Sequence, residues 1–303
     1  SGLAGCNDPR SSDSGQSHRT APALDGNRAL SEVAAFVELG LRDAGTEGAA
    51  RAAEYLRERL LALGVEARID EFTEVTVTGQ LPFRNVIGRL PGRGDGLIIL
   101  GSHFDTKAGM GDGFQGANDS GSSTGLLLEL ARVLAAGPVM GPEIQFAFFD
   151  GEECQVAYGP NDGLHGSRKM ARDLVASGRR SDVLAVLVLD MIGDRDLTVT
   201  LPRNATPRLL SLAFEAARAE EARRHFSLFR SEILDDHVPF LEQGMPAIVL
   251  IDFEYGHAPG LNDYWHTLED SMDKLSAESL DIVGRVVLRM IRMLDSSMQQ
   301  GTP

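Results

Sequence analysis

The chain has 303 residues, 43% of them hydrophobic, and a formal net charge of −15 from 29 basic and 44 acidic residues. That length and apolar content allow one large or two ordinary domains and exclude overall disorder. The acidic balance argues against nucleic acid or an anionic membrane surface as partner, and two cysteines, Cys6 and Cys154, are too few for a disulfide framework or a Cys-rich zinc site.

Residues 1–26, rich in Ser, Gly, Asp and Pro, read as a flexible tether. Within them Leu3-Ala4-Gly5-Cys6 resembles a bacterial lipobox, with Cys6 as the lipidated residue. That would make the protein an extracytoplasmic lipoprotein; an ordinary tail with an incidental cysteine is the alternative. No apolar run approaches the length of a membrane-spanning helix. Helical spacing recurs at Leu30, Val33, Ala34 and Val37, then at Ala49, Ala53, Leu56, Leu60 and Leu63, with Gly64 as the stop. Strands are expected over 66–77, 85–89 and 97–101, separated by Gly and Pro clusters at 79–82 and 91–96.

The third of these strands runs Leu97 to Gly101 and then meets Ser102-His103-Phe104-Asp105. In such a pair the aspartate can orient the imidazole through its second nitrogen. A glycine-rich loop, 109–116, lacks the dinucleotide fingerprint because Phe114 takes the last glycine position. Asp119 follows, just ahead of a helix marked by Leu126, Leu127, Leu130, Val133 and Leu134. With Ser120 or Ser122 as cap, Asp119 is left free for other work. Gly121-Ser122-Ser123-Thr124-Gly125 matches the G-x-S-x-G elbow of serine hydrolases, but no buried strand precedes Ser123, so that reading is remote.

Ile144 to Phe149 is an apolar strand that runs straight into Asp150-Gly151-Glu152-Glu153. Three acids so close repel one another unless positive charge sits between them. A loop, 154–163, and a helix opening near His165 come next. Cys154, beside two glutamates, is not read as a nucleophile, and His165 reads as a helix-face residue. A third apolar strand ends in Asp190, a carboxylate that is costly to bury unpaired. After a helix over 209–218, Asp235-Asp236-His237 opens a short turn before a strand over 246–252. Trp265-His266 lies on a late loop, and a helix through Leu280, Val287 and Leu294 closes the chain. Strands alternate with helices, so the expected fold is a single α/β domain with a central, mostly parallel twisted sheet flanked by helices.

Thus His103, Asp119, Glu152, Glu153 and Asp190 follow strand ends, and His266 lies on a loop. Two histidines and several carboxylates suit zinc or a related divalent ion, or two ions sharing one carboxylate, with a glutamate left for proton transfer.

His103-Phe-Asp105, Gly-Ala-Asn-Asp119, Asp-Gly-Glu152-Glu153, Leu-Asp190 and His266-Thr resemble the zinc aminopeptidase clan of M28 type. Within it the chain looks most like the animal-type glutaminyl-peptide cyclotransferases. The distinguishing stretch is the ten residues Cys154–Gly163, which separate the glutamate pair from Leu-x-Gly-Ser-Arg168; typical aminopeptidases close that gap sooner. Lys107, Asp236-His-Val-Pro-Phe and Trp265-His266-Thr also fit the cyclotransferase pattern, and the similarity runs from about Arg42 to the last helix. The resemblance implies a zinc-dependent catalytic domain over 27–298, acting as a monomer on peptides with N-terminal glutamine. It implies Asp119, Glu153 and His266 as ligands of one zinc and Glu152 as acid/base. Asp190 and Asp236 would hydrogen-bond near that glutamate, and Trp265 would wall the pocket. Tyr158 stands where the animal enzymes have tryptophan, and Ser102 and Thr124 stand where they have a disulfide. Because His103 and Asp190 offer a second metal position, an M28-type zinc aminopeptidase with one or two metals stays open. A non-catalytic binding module is disfavoured because no ligand or acid/base position is lost.

Overall fold

The structure, a computed structural model, describes residues 21–257 and 260–299; Cys6 and most of the expected tether lie outside them. Helix α1 (Gly26–Val37) is capped by Asp25, whose carboxylate accepts the N–H groups of Asn27 and Arg28. The backbone N–H of Asp25 donates to the buried Glu129 at 2.9 Å, and Leu24 packs against the core. Residues 21–26, read as tether, are therefore joined to the domain. Helix α2 (Glu47–Ala62) starts at the Thr46 cap and stops before Gly64, which takes a φ of 78°.

Strands β1 (Glu66–Thr76) and β2 (Gly79–Leu90) form a hairpin with a two-residue turn, Val77-Thr78. The sequence reading placed a break at 79–82; the structure runs the strand through it. Pro82 lies in the half of β2 that pairs on one side only, because β4 joins β2 only from Val86 onward. A missing N–H is tolerated there. Then come β3 (Leu97–His103), a kinked turn at Ala117–Ser122, α3 (Ser123–Ala136), β4 (Glu143–Phe149), α4 (His165–Ala176) and β5 (Val183–Asp190). The rest is β6 (Val199–Leu201), α5 (Pro207–Ala219), β7 (Phe226–Leu228), α6 (Val238–Glu242), β8 (Ala247–Ile251) and α7 (Ala277–Gln299). The three-residue strands β6 and β7 pair with each other in parallel; they are too short to show any period in sequence.

The main sheet has the order β1-β2-β4-β3-β5-β8. The four strands from β4 to β8 are parallel, and the hairpin adds an antiparallel edge. Alternate residues on a strand face opposite sides. Ile98, Leu100, Phe146, Phe148, Leu187 and Leu189 pack under α1, α3 and α7. Their neighbours Ile99, Ala147, Phe149, Val186 and Val188 pack under α4 and α6. Both faces are covered, which is why the strands read as unbroken apolar runs.

Strand order also fixes where chemistry belongs. From β3 the chain crosses by α3 to β4 on one side; from β4 it crosses back by α4 to β5 on the other. Right-handed crossovers in opposite directions put the two helices on opposite faces. The resulting crevice lies at the carboxyl end of β3, the usual ligand position in such sheets.

Arg42 secures the loop above this crevice. Its fully buried guanidinium donates to the carbonyls of Phe104 (3.0 Å), Gly40 (2.9 Å), Gln115 (3.3 Å) and Gly116 (3.2 Å) and lies over the Phe36 ring. Burial lowers its pKa to about 10, while Asp270, Asp105, Asp119 and Asp43 hold it up. Arg42→Met strands several buried carbonyls, each worth about 1–3 kcal/mol when unsatisfied. We expect urea unfolding to show a loss of about 3 kcal/mol or more with an unchanged slope.

Candidate active site

The end of β4 is held from two sides. The Asp150 carboxylate accepts the Arg84 N–H at 2.8 Å, and the Asn85 side chain accepts the Asp150 N–H at 3.1 Å. Gly151 then turns the chain with a φ of 72°, and a Cβ there would meet the Phe83 ring at 2.4 Å. Only glycine fits both demands. The turn delivers Glu152 and Glu153, whose backbone N–H groups both donate to the Asp105 carboxylate, at 3.1 Å each. Asp105 lies 3.4 Å from His103 Nδ1 without a hydrogen bond of good geometry. It was expected to orient the imidazole; its firmer contacts are with the glutamate turn.

Asp119 sits in the kinked turn before α3, where it and Ser120 leave helical geometry. Neither Ser120 nor Ser122 caps α3 with its side chain. Ser122 instead donates to the Asn118 carbonyl and accepts the Ile192 N–H, tying the turn to the segment after β5. The backbone N–H groups of Asn118 and Asp119 donate to the Asp270 carboxylate at 2.7 and 3.2 Å, and the Tyr255 hydroxyl donates to it at 3.1 Å. Asp270 lies four residues after His266, so it clasps the loop of one candidate ligand to the backbone of another.

The side chains converge on Asp119. Its Oδ1 is 3.0 Å from His103 Nε2, and its Oδ2 is 3.3 Å from His266 Nε2. His103 Nε2 is also 3.4 Å from Asp190 Oδ1, and His266 Nε2 is 2.9 Å from Glu153 Oε1. Two groups with metal-ligating spacing result, His103/Asp119/Asp190 and Asp119/Glu153/His266, each with its ligand atoms within 4.8 Å of one another. They share Asp119. All three members of the second group face a cavity of about 230 Å³, whereas His103 does not.

Electrostatics show how strongly this place favours positive charge. Burial opposes protonation of His103, yet Asp105, Asp119 and Asp190 hold its pKa well above the ordinary imidazole value. His266 rises to about 9 through Asp119 and Glu153, again against burial. Burial and then the Asp119 charge push Glu153 up to about 7. Burial raises Glu152 well above the usual carboxylate range, with Glu153, Asp236 and Asp235 adding to it and His103 opposing. A divalent cation would answer the same negative potential. The donors are the nitrogen and oxygen atoms that zinc takes, and the separations of 2.9 and 3.3 Å about His266 Nε2 suit the roughly 3.3 Å edge of a tetrahedron with bonds near 2.0 Å. Glu153 Oε2 is buried without a hydrogen bond, with only the Lys107 ammonium near it at 3.6 Å, which leaves a donor position on it open. The residues present therefore fit such an ion.

Glu152 lines the same cavity, with Tyr158 donating its hydroxyl to Oε1 at 2.8 Å. Tyr158 rides on the loop 154–163, which Asp162 pins by accepting the N–H groups of Gln155 (2.6 Å), Val156 (2.8 Å) and Ala157 (2.9 Å). Trp265 stacks on His266 with ring centroids 4.0 Å apart and meets Phe253, which in turn meets Phe229. His266 itself has a φ of 54°, an uncommon conformation for a side-chain-bearing residue.

Among the described residues the Tyr158 hydroxyl hydrogen-bonds Glu152, while Asp190, expected near it, lines the same cavity 3.4 Å from His103. Asp236 is fully buried behind the cavity, whose lining includes its neighbour Asp235 instead. Ser123 is fully buried, donating to the Ser120 carbonyl and accepting from Ser102. A hydroxyl so enclosed has no access to a substrate, which removes the serine-hydrolase reading. His165, stacked on Phe83 and 2.7 Å from Glu74, belongs to the packing of α4 on the hairpin. Sequence reasoning missed Asp270, Asp235, Phe229 and Phe253. None of them left a signal of its own in the sequence.

Comparison with known proteins agrees with this geometry. The model of peptidase family M28 matches residues 85–291. A glutaminyl-peptide cyclotransferase-like protein of Bos taurus is 30% identical over 284 residues, covering 82% of this chain and 71% of its own. The crystal structure of an Acidobacteriales bacterium glutaminyl cyclase superposes with a TM-score of 0.85 at 33% identity, covering 96% of this chain and 99% of that one. A leucine aminopeptidase precursor of Bacteroides thetaiotaomicron superposes with a TM-score of 0.79 at 25% identity, covering 90% of this chain and 98% of that one.

The clasp makes a measurable claim. Asp270→Asn replaces one of the two acceptor oxygens facing backbone N–H groups. Outer partners of metal ligands typically contribute 10–100-fold to metal affinity. We expect competition with a chelator to show affinity for a divalent cation lowered by about that factor.

Proposed function

The chain belongs to peptidase family M28 and, within it, to the glutaminyl-peptide cyclotransferases, and we propose that it converts the N-terminal glutamine of peptides to pyroglutamate with release of ammonia. The observation that carries this reading is the placement of Glu152. It faces the cavity beside Asp119, Glu153 and His266, and one oxygen is already held by Tyr158. The second oxygen is left for the substrate.

In this reaction the α-amine attacks the γ-carbonyl carbon of its own side chain. The bond to the amide nitrogen breaks, and that nitrogen leaves as ammonia, so the peptide loses one NH₃ and no water is consumed. Glu152 takes a proton from the attacking amine and delivers it to the departing nitrogen. Its environment, which raises the carboxyl well above the usual range, suits a group that must both accept and give a proton. The wall of Trp265 and Phe253 keeps the glutamine folded against the acids, and holding the amine beside the carbonyl supplies a large effective concentration. Zinc, held by Asp119, Glu153 and His266, would polarise the carbonyl that is attacked.

The second donor group favours a competing reading. Asp119 offers one oxygen to each imidazole, the arrangement a two-metal aminopeptidase would use. We assign a single zinc to the group that faces the cavity. The lipobox-like Leu3-Ala4-Gly5-Cys6 supports an extracytoplasmic, membrane-anchored enzyme.

Ammonia release and product mass separate the two reactions. We expect Gln-initiated peptides to lose ammonia and keep every residue, while Leu-initiated peptides survive. Free leucine without ammonia, together with two tightly held metal ions per chain, would establish the aminopeptidase instead. Glu152→Gln should lower turnover by about 10²–10⁴-fold, the usual contribution of a positioned acid–base group, and should retain about one zinc per chain by elemental analysis.

A further inference from the structure

The cavity lining is predominantly acidic, with His266 its one basic side chain among the described residues. Six carboxylates face it, those of Asp119, Glu152, Glu153, Asp190, Asp235 and Glu232, and among the described residues no lysine or arginine does. Five of the six are buried. Glu232 is solvent-exposed, and among the described residues no hydrogen bond or ion pair engages its carboxylate. Lys107 is outside the lining; its ammonium contacts the Cys154 carbonyl, lies 3.4 Å from the Cys154 sulfur and pairs with Glu153 Oε2 at 3.6 Å, so it does not serve Glu232. Arg230, two residues from Glu232, is outside the lining.

The cavity is small. At about 230 Å³ it falls below the roughly 300–1,000 Å³ of pockets that enclose a whole small ligand. A space of that size would hold the first residue of a peptide and leave the next at its mouth. The segment that carries Glu232 brings Phe229, Ile233 and Leu234 to the same lining, with Leu234 49% exposed, and Phe253 and Trp265 also line it. The mouth therefore offers an apolar surface ending in an unpaired carboxylate. A long aliphatic stem with a cationic head matches both parts.

We propose that Glu232 is a specificity-determining residue that recognises arginine or lysine immediately after the N-terminal glutamine. The inference rests on the cyclotransferase reading and adds a substrate class to it, peptides beginning Gln-Arg or Gln-Lys. Peptides with an acid in the second position are repelled by the same group. The formal net charge of −15 adds a long-range attraction for cationic peptides that is not specific to position.

The test compares ammonia release from Gln-Arg, Gln-Ala and Gln-Glu peptides of otherwise equal sequence, in the wild type, Glu232→Gln, Glu232→Lys and Glu58→Lys. Glu58 is an exposed acid on α2 outside the cavity, and its reversal changes net charge as much as Glu232→Lys does. The wild type should favour Gln-Arg over Gln-Glu in kcat/KM. Glu232→Gln should shrink that ratio about threefold to tenfold, as expected for an exposed charge acting on both substrates, with the change in KM and not in kcat. Glu232→Lys should invert the order, and Glu58→Lys should leave it as in the wild type. Raising salt to about 0.5 M should compress the wild-type ratio. Ammonia release with a ratio indifferent to both Glu232 variants overturns the proposal and leaves the cyclotransferase reading standing, as does an equal shift from Glu58→Lys. Absence of ammonia from every Gln peptide in the wild type removes that reading and the proposal together.

Discussion

A carboxylate taken out of water without a counter-charge is among the most costly groups a fold can hold. This domain holds several at the end of one sheet, and the arrangement turns on Asp119. Each of its oxygens meets a different imidazole, that of His103 on one side and His266 on the other. Histidine rings drawn from β3 and from a loop more than a hundred residues later are thereby brought to one acid. The pKa of Asp119 is lowered despite its burial because both rings stabilise the charge.

The surrounding acids do a different task. Asp105, Asp270 and Asp162 each accept two or three consecutive backbone N–H groups, and each fixes a segment that presents a reacting side chain. Asp105 sets the glutamate turn, Asp270 sets Asp119, and Asp162 sets the loop of Tyr158. Backbone donors occupy the oxygens of these carboxylates, which leaves them to fix the chain while the side chains they position face the cavity. Burial and the Asp119 charge nonetheless push Asp270 up to about 7. The centre is assembled on irregular chain, yet its parts are held as firmly as if they lay on strands.

Much of this was legible in the sequence because apolar strands that end abruptly in polar chemistry are unusual. His103, the Glu152-Glu153 pair and Asp190 all stood out that way, and the parallel core followed from runs apolar on both faces. Less was legible where partners meet only after folding. Asp270 looked like one more acid on an acidic loop, and its role depends on a backbone 151 residues away. Phe229 and Phe253 come from separate segments with no shared period. Gly79 and Pro82 were read as breakers because local propensity carries no information on which strand edge lacks a neighbour. Ser122 looked like a helix cap, but a tertiary partner, the Ile192 N–H, had claimed its oxygen.

The contact between the end of β3 and the start of α3 has a further consequence. Ser102 donates to Ser123 at 2.8 Å and lies 3.4 Å from the Thr124 hydroxyl, while Thr124 donates to the His103 carbonyl at 3.1 Å. These hydroxyls stand where the resemblance to animal enzymes implies a covalent sulfur bridge. Here the junction that carries His103 closes by hydrogen bonds alone, and Cys154 is a free thiol. Its geometry is thus set without any oxidation step. This junction should therefore tolerate thiol reductants that would open a bridged one.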